Sequence, residues 1–174
     1  SRFEEAFTII RTLLTQGEID FNGEYYTARD CSLVPRSRPG GPRIMIGSMG
    51  PRVLRATLPY VDLWNTWHAW HGNTPEGFEK LNATIDEAAR EVGRDPSEIG
   101  RTTALYWQFS GGDGRRQGDT DKHTADPRIG TPEELAEVLR SYQFLGVDEV
   151  QLVLDPITID SVEKAARALD LLRG

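Results

Sequence analysis

The sequence is poor in cysteine, in positive charge and in long apolar runs. Its one cysteine, Cys31, has no partner for an internal disulfide, so no disulfide framework can hold the fold together. No apolar run approaches the roughly 20 residues that a membrane span needs. The 20 Lys and Arg residues against 27 Asp and Glu residues leave a net charge of −7, which disfavours nucleic acid as the main partner. With no basic and then apolar leader at its start, the sequence predicts a cytoplasmic protein without membrane or nucleic-acid partners.

The 174 residues that are present fit one α/β domain that begins with a helix. Ser1 and Glu4 form a capping-box pattern at its start. Gly17 suits the left-handed position that closes a helix. A helix is therefore predicted over residues 1–17.

A hairpin insertion and a loop are predicted over residues 18–42. The Asn22-Gly23 dipeptide lies between two short β-prone stretches and predicts a two-residue type I′ turn. The remainder is rich in proline and glycine, which predicts an irregular surface connection.

From residue 43 to residue 174, a short apolar run followed by helix signals occurs four times. Thr74 and Thr131, each followed by proline, are typical of helix starts. Short apolar strands that alternate with longer helices favour parallel strands with helices on the faces. The glycine-rich and charged loop at residues 110–127 predicts a mobile segment, with a functional lid as the alternative. The four runs are residues 43–47, 61–65, 102–109 and 149–154.

Six short motifs follow one another along the chain in a distinctive order. They are Phe21–Tyr26, Pro42–Arg52, Val61–Asn65, Gly93–Pro96, Gly130–Glu134 and Gly146–Leu152. Their order resembles the C-terminal half of the luciferase-like monooxygenase and reductase family, many of whose members use coenzyme F-420 and others FMN. The resemblance implies a partial TIM (β/α)8 barrel in a single domain over residues 1–174, with about four parallel strands, their helices and a β-hairpin insertion.

The first four strands of such a barrel would be missing. Four strands leave two edges with unpaired N–H and C=O groups. We also expect a curved face with apolar side chains such as Ile44, Leu63, Leu105 and Leu152 to be uncovered. The sequence therefore predicts either a homo-oligomer or pairing with the missing N-terminal half.

The segment from Gly47 to Arg52 lies between a predicted strand and a predicted helix. Its glycines allow close backbone approach, and a helix start with an arginine suits a phosphate. A tight turn with Pro51 at the first helical position is the alternative. The resemblance implies that the residues of this segment contact the cofactor: Gly47, Ser48, Met49, Gly50 and Arg52.

Ligand chemistry in parallel barrels collects at the C-terminal ends of the strands. This rule selects residues 64–66, residues 106–108 and Asp155. Alternation in the third run places Leu105, Trp107 and Phe109 on one face, which we expect to pack under helices. The residues assigned to the substrate side are Trp64, Asn65, Trp67 and His68.

The histidines His68 and His71 are three residues apart and could share one side of a helix. A wall of the substrate pocket, an exposed turn and a metal site are the three interpretations. A third metal ligand at a recognisable distance is lacking, so no metal is assigned. Cys31 has no His-Asp arrangement around it and is interpreted as a half-buried thiol.

The function implied by the resemblance is hydride transfer between a flavin or deazaflavin, either FMN or coenzyme F-420, and a small organic substrate. In such enzymes the cofactor does the redox chemistry and the protein binds, orients and excludes water. No catalytic acid or base is assigned. Two alternatives are a non-catalytic, truncated flavin-binding or interaction module, and a metal-dependent enzyme that uses His68 and His71.

Overall fold

The structure, a computed structural model, describes residues 1–111 and 125–173. Its first helix, α1 (Arg2–Gln16), begins at Ser1, whose hydroxyl accepts the N–H of Glu4 in a capping box. It ends at Gly17, which adopts φ 84°. A left-handed backbone of this kind costs glycine little because glycine has no Cβ. The helix predicted from the sequence is confirmed.

The hairpin consists of β1 (Glu18–Asn22) and β2 (Thr27–Ser32), which pair antiparallel. The predicted type I′ turn is wrong. Asn22 pairs with Thr27, so the loop has four residues, and the N–H of Gly23 donates to the carbonyl of Tyr26. The physical reason lies in α1: the Glu5 carboxylate accepts the N–H groups of three successive loop residues at 2.9 to 3.0 Å. These bonds favour the longer loop and fasten the hairpin to α1.

Five parallel strands form the main sheet, and helices follow four of them. The strands are β3 (Met45–Ile46), β4 (Leu63–Thr66), β5 (Gly100–Phe109), β6 (Arg128–Gly130) and β7 (Val147–Asp155). The helices are α2 (Pro51–Thr57), α3 (Pro75–Glu91), α4 (Pro132–Phe144) and α5 (Ile159–Arg173). The four predicted strand-helix alternations are therefore present in the described residues, and the parallel α/β class is confirmed.

The long strand β5 is the centre of this sheet. β4 pairs with its first half, through Thr103, and β6 pairs with its end, from Trp107 onward. β7 pairs along almost the whole of β5. Because Trp107 and Gln108 pair with both β6 and β7, these two strands lie on opposite edges of β5. Among the described residues, β3 has only β4 beside it and β7 has only β5.

The face of the sheet that meets the helices contains the hydrophobic core. Trp107 and Phe109 pack there, as predicted for the aromatic side chains of this face of β5, and Trp64 of β4 packs beside them. The opposite face was predicted to expose apolar side chains, and this is wrong for most of those named. Leu105 is fully buried in the helix-facing core, and Ile44 and Leu152 pack against that core. Leu63 is the one of the four that lies outside this cluster, and it is not uncovered either, since it is only 6% exposed.

The opposite face is mainly polar because of strand alternation. Thr102, Ala104, Tyr106 and Gln108 point there from β5. Register pairing places Asp155 of β7 beside Gln108 on the same face. The residues on this face are mostly buried: Thr102 is 0% exposed, and Tyr106 and Asp155 are each 8% exposed.

The short strand β6 was not predicted, since Arg-Ile-Gly contains no apolar run. The segment predicted to be mobile lies mainly outside the described residues. No helix in the described part of the chain combines the length and apolar character that a membrane crossing requires.

Candidate functional site

The loop from Gly47 to Gly50 follows β3 at the C-terminal edge of the sheet and leads into α2. The indole N–H of Trp64 donates to the carbonyl of Ser48 at 2.9 Å. The hydroxyl of Ser48 accepts the N–H of Gly50 at 3.1 Å. Trp64 of β4 therefore fixes the backbone of the loop, and the Ser48 side chain bridges two positions of the loop itself.

The two glycines of this loop leave space that the rest of the chain does not fill. A Cβ at Gly47 would lie 3.7 Å from the carbonyl oxygen of Asn65, and a Cβ at Gly50 would lie 3.6 Å from the hydroxyl of Ser48. Both are ordinary van der Waals distances, and Gly50 has φ −70°, which any residue adopts. Neither the space nor the backbone at Gly50 requires glycine, so the missing side chain leaves room for a ligand.

Arg52 lies at the start of α2 with its side chain 72% exposed. Its Nε lies 3.3 Å from a carboxylate oxygen of Glu4, which links α2 to α1. The other guanidinium donors make no hydrogen bond to the described residues, so they are available to an anion. Met49 instead packs partly against the hydrophobic core.

Trp64 lies on a different side of the sheet from the one predicted. Its side chain is fully buried and packs on Phe78 of α3 at 6.4 Å between ring centroids. It therefore positions the Ser48 loop and does not line the opposite, polar face of the sheet. Asn65 does point to that face, where its amide oxygen accepts the hydroxyl of Thr102 at 2.7 Å.

His68 begins a short 3₁₀ helix, His68–His71, directly after β4. Its ring lies 4.4 Å from Trp67 and 5.1 Å from Tyr106, and the side chain is fully buried. Burial, and secondarily the nearby His71, lower the pKa of His68 to about 4. The imidazole is therefore neutral near pH 7. Neither ring nitrogen has a hydrogen-bond partner among the described residues.

His71 is bound on both ring nitrogens. Nδ1 lies 3.2 Å from the carbonyl of Thr74, which can only accept, so Nδ1 carries the proton. Nε2 then accepts the hydroxyl of Thr103 at 2.9 Å. Burial is the main cause that lowers the pKa of His71. Because both nitrogens are engaged, the His68 and His71 metal site is not favoured, and the described residues contain no group of three side chains suited to a metal.

Asn73 is a structural residue of the site that the sequence did not indicate. It is buried and left-handed, with φ 57°. Its amide donates to the carbonyl of Tyr106 at 2.8 Å and accepts the N–H of the same residue at 3.0 Å. These bonds fall in the gap between β4 and β6 on the edge of β5, so Asn73 replaces a missing strand residue. The asparagine directly after Gly72 was the available signal, since both favour positive φ.

Tyr106 and Asp155 meet at the C-terminal edge, as the strand-end rule predicted for each separately. The Tyr106 hydroxyl donates to Oδ2 of Asp155 at 2.7 Å. Asp155 is 8% exposed, and its Oδ1 has no partner in the described chain. The structure therefore brings His68, Tyr106 and Asp155 into one cluster, while the Gly47–Arg52 loop follows β3, a different strand of the same sheet.

A family model described as luciferase-like monooxygenase matches residues 1–111. The pyrimidine monooxygenase RutA of Caulobacter segnis is 32% identical over 92 residues, covering 52% of this chain and 25% of that protein.

Two solved structures are similar to the chain in fold. An F-420-dependent secondary alcohol dehydrogenase, solved with an F-420-acetone adduct, aligns with a TM-score of 0.69 at 17% identity over 98% of this chain and 61% of that one. Riboflavin lyase RcaE, solved with a modified FMN and riboflavin, aligns with a TM-score of 0.63 at 13% identity over 90% of this chain and 48% of that one. The partial-barrel fold is thereby confirmed, and the chain spans about a quarter of RutA.

Proposed function

The chain belongs to the luciferase-like monooxygenase family, and we propose that it provides the part of such an enzyme that holds a flavin or deazaflavin, either FMN or coenzyme F-420, beside an organic substrate. The reaction proposed is hydride transfer between the two. The observation that carries the proposal is the family match over residues 1–111, which contains the whole Gly47–Arg52 loop and the ends of β3, β4 and β5.

The Gly47–Arg52 loop is the proposed contact for the phosphate-bearing part of the cofactor. Its carbonyl at Ser48 is held by Trp64, and the space over Gly47 and Gly50 is open to a ligand. Arg52 supplies a positive charge with free donors. When bound, the cofactor supplies the hydride chemistry, while these residues bind and orient it.

The proposed substrate side consists of Asn65, Trp67 and His68. Trp67 is 38% exposed and lies at the rim against the ring of His68. The neutral His68 has one N–H donor and one lone pair, neither engaged by the described chain. It can therefore hold a polar group of a substrate without placing a charge in a buried position. Trp64 is proposed as a positioning residue for the loop.

A titration of the purified chain with FMN and with coenzyme F-420 tests the proposal. We expect quenching of cofactor fluorescence with saturation in the wild-type chain. Gly50→Val should weaken binding at least tenfold because its side chain enters the ligand space, whereas Gly50→Ala should weaken it less. Thermal unfolding of both variants should stay close to wild type, since the chain itself accommodates a Cβ there. Equal affinity in all three proteins, or no saturation with either cofactor, contradicts the proposal.

A binding module without turnover is the second candidate for the chain on its own. It is favoured by the share of RutA that the chain covers, 25%. Under this proposal cofactor binding persists but no substrate is reduced or oxidised. Turnover measured with a bound cofactor and a panel of alcohols and ketones separates the two candidates.

We further propose that other strands cover the free edges of β3 and β7. Each has one neighbouring strand in the described residues, which leaves backbone donors and acceptors unpaired. The added strands could come from a second copy or from an N-terminal half-barrel. Light scattering should show a dimer or larger species for the chain alone, and a monodisperse monomer contradicts self-association.

A further inference from the structure

A cluster at the ends of β5 and β7 is not used by the cofactor loop. It consists of Tyr106, Gln108 and Asp155 on the polar face of the sheet. Gln108 and Asp155 are register partners on neighbouring parallel strands, so their Cα atoms lie about 5 Å apart and their side chains share one face. The cluster therefore places an amide and a carboxylate side by side.

The carboxylate of Asp155 is held on one side only. Oδ2 accepts the Tyr106 hydroxyl at 2.7 Å, which fixes the orientation of the group. Oδ1 is buried and has no hydrogen-bond partner in the described residues, and Asp155 as a whole is only 8% exposed. A buried acceptor without a donor is costly and rare in native proteins. The free position is therefore suited to an N–H or O–H donor of a ligand.

The neighbours of Asp155 narrow the chemistry of that ligand. Gln108 makes no side-chain hydrogen bond to the described chain, so its amide N–H can donate to a ligand carbonyl next to the ligand N–H. Trp67, which is 38% exposed and lies against the buried ring of His68, offers an aromatic surface to a flat molecule beside Tyr106. An acceptor and a donor side by side, next to aromatic rings, match a planar ring that carries N–H beside C=O.

We propose that Asp155, Gln108 and Tyr106 bind the imide edge of a pyrimidine-dione ring. The ring N–H donates to Oδ1 of Asp155, and the adjacent ring carbonyl accepts the amide N–H of Gln108. Tyr106 is a positioning residue that holds the carboxylate. This inference deepens the proposed function, on which it rests for the location of the site. The same imide edge occurs in the flavin and deazaflavin rings and in free pyrimidine-diones such as uracil, so two sources of the ligand are tested separately.

The test uses the full chain with three simple probes: FMN, 1-methyluracil, which keeps the imide N–H, and 1,3-dimethyluracil, which has no ring N–H. Calorimetric titration should show 1-methyluracil binding about tenfold more tightly than 1,3-dimethyluracil, because the hydrogen bond to the Asp155 carboxylate is lost in the latter. Asp155→Asn should reduce this ratio to about one. Glu149→Gln is the matched control, since it makes the same chemical change on the same strand at an exposed position, and should leave the ratio unchanged.

The results of these titrations distinguish a cofactor ring from a free pyrimidine-dione as the ligand. They also distinguish failure of this inference from failure of the proposed function. If Asp155→Asn weakens FMN binding about tenfold while the uracils do not bind, the site holds the cofactor ring. If it abolishes discrimination between the uracils while FMN affinity is unchanged, the site holds a free pyrimidine. Unchanged FMN affinity together with no discrimination between the uracils in the wild type overturns the inference and leaves the proposed function standing. Discrimination between the uracils without any FMN binding keeps the site and overturns the cofactor proposal.

Discussion

Replacement of His68 by phenylalanine should make the chain less sensitive to mild acid. His68 is fully buried without a hydrogen-bond partner among the described residues, and its pKa falls from an ordinary 6.5 to about 4. Between these two values the unfolded chain binds a proton at this residue and the folded chain does not. The free energy of unfolding must therefore fall as the pH is lowered through this interval.

The size of the effect follows from the two pKa values. Near pH 7 both states are mostly neutral at His68, so the residue contributes little. At pH 5 the unfolded state is largely protonated while the folded state is largely neutral, and the difference removes about 2 kcal/mol from the free energy of unfolding. His68→Phe keeps an aromatic ring of similar size, loses no described hydrogen bond and removes the titration.

Urea unfolding followed by tryptophan fluorescence at pH 7 and pH 5 measures this difference. The loss of stability between the two pH values should be smaller by about 2 kcal/mol in His68→Phe than in the wild type. Trp70→Phe is the control, because Trp70 lies in the same 3₁₀ helix, is half exposed and does not titrate. An equal loss in His68→Phe and wild type would refute the buried, neutral state of His68.

Three other changes test contacts that hold the site in place. Asn73→Ala leaves the backbone groups of Tyr106 unpaired and should cost about 3 kcal/mol in urea unfolding, whereas Asn73→Gly should cost about 1 kcal/mol less because glycine suits φ 57°. Trp64→Phe removes the donor to Ser48 and should lower both the unfolding free energy by about 1 kcal/mol and the affinity for FMN in titration. Glu5→Gln should speed hydrogen exchange in the loop of the β1–β2 hairpin. Burial raises the pKa of Glu5, but the three backbone hydrogen bonds together outweigh it and lower the pKa. The wild-type loop should therefore lose the same protection as the pH falls through that lowered pKa.

The helix boundaries could be predicted because their signals are local. Ser1 with Glu4 and Thr131 with Glu134 form capping boxes in the structure as the sequence indicated. The hairpin turn could not be predicted from the Asn22-Gly23 dipeptide, because the carboxylate that fixes the loop belongs to Glu5 in the first turn of α1, 20 residues before Tyr25. Turn preference is a small energy, and three hydrogen bonds to one carboxylate exceed it.

Part of the site could be predicted because its signals are local, and the part that depends on long-range pairing could not. The strand-end rule selected Tyr106 and Asp155 from their positions alone, but their hydrogen bond depends on the pairing of β5 with β7, which no local pattern specifies. Trp64 was placed on the substrate side by its position at a strand end. Alternation along β4 instead turns it under α3. Successive side chains of a strand point to opposite faces of the sheet. A prediction that assigns a whole segment to the site therefore cannot say which of its side chains face the ligand.

The face of the sheet opposite the helices is polar, so an uncovered apolar face is not the reason to expect self-association of the chain. A sheet that exposed Leu105 and Leu152 would associate through that face, but both pack towards the helices. The opposite face instead carries Asn65, Thr102 and the Tyr106 cluster, whose polar side chains hydrogen-bond to one another. The free edges of β3 and β7 have no neighbouring strand within the described chain to pair with their backbone N–H and C=O groups. Association is therefore expected along the strand edges, and this would leave the polar face free to form the lining of a ligand site.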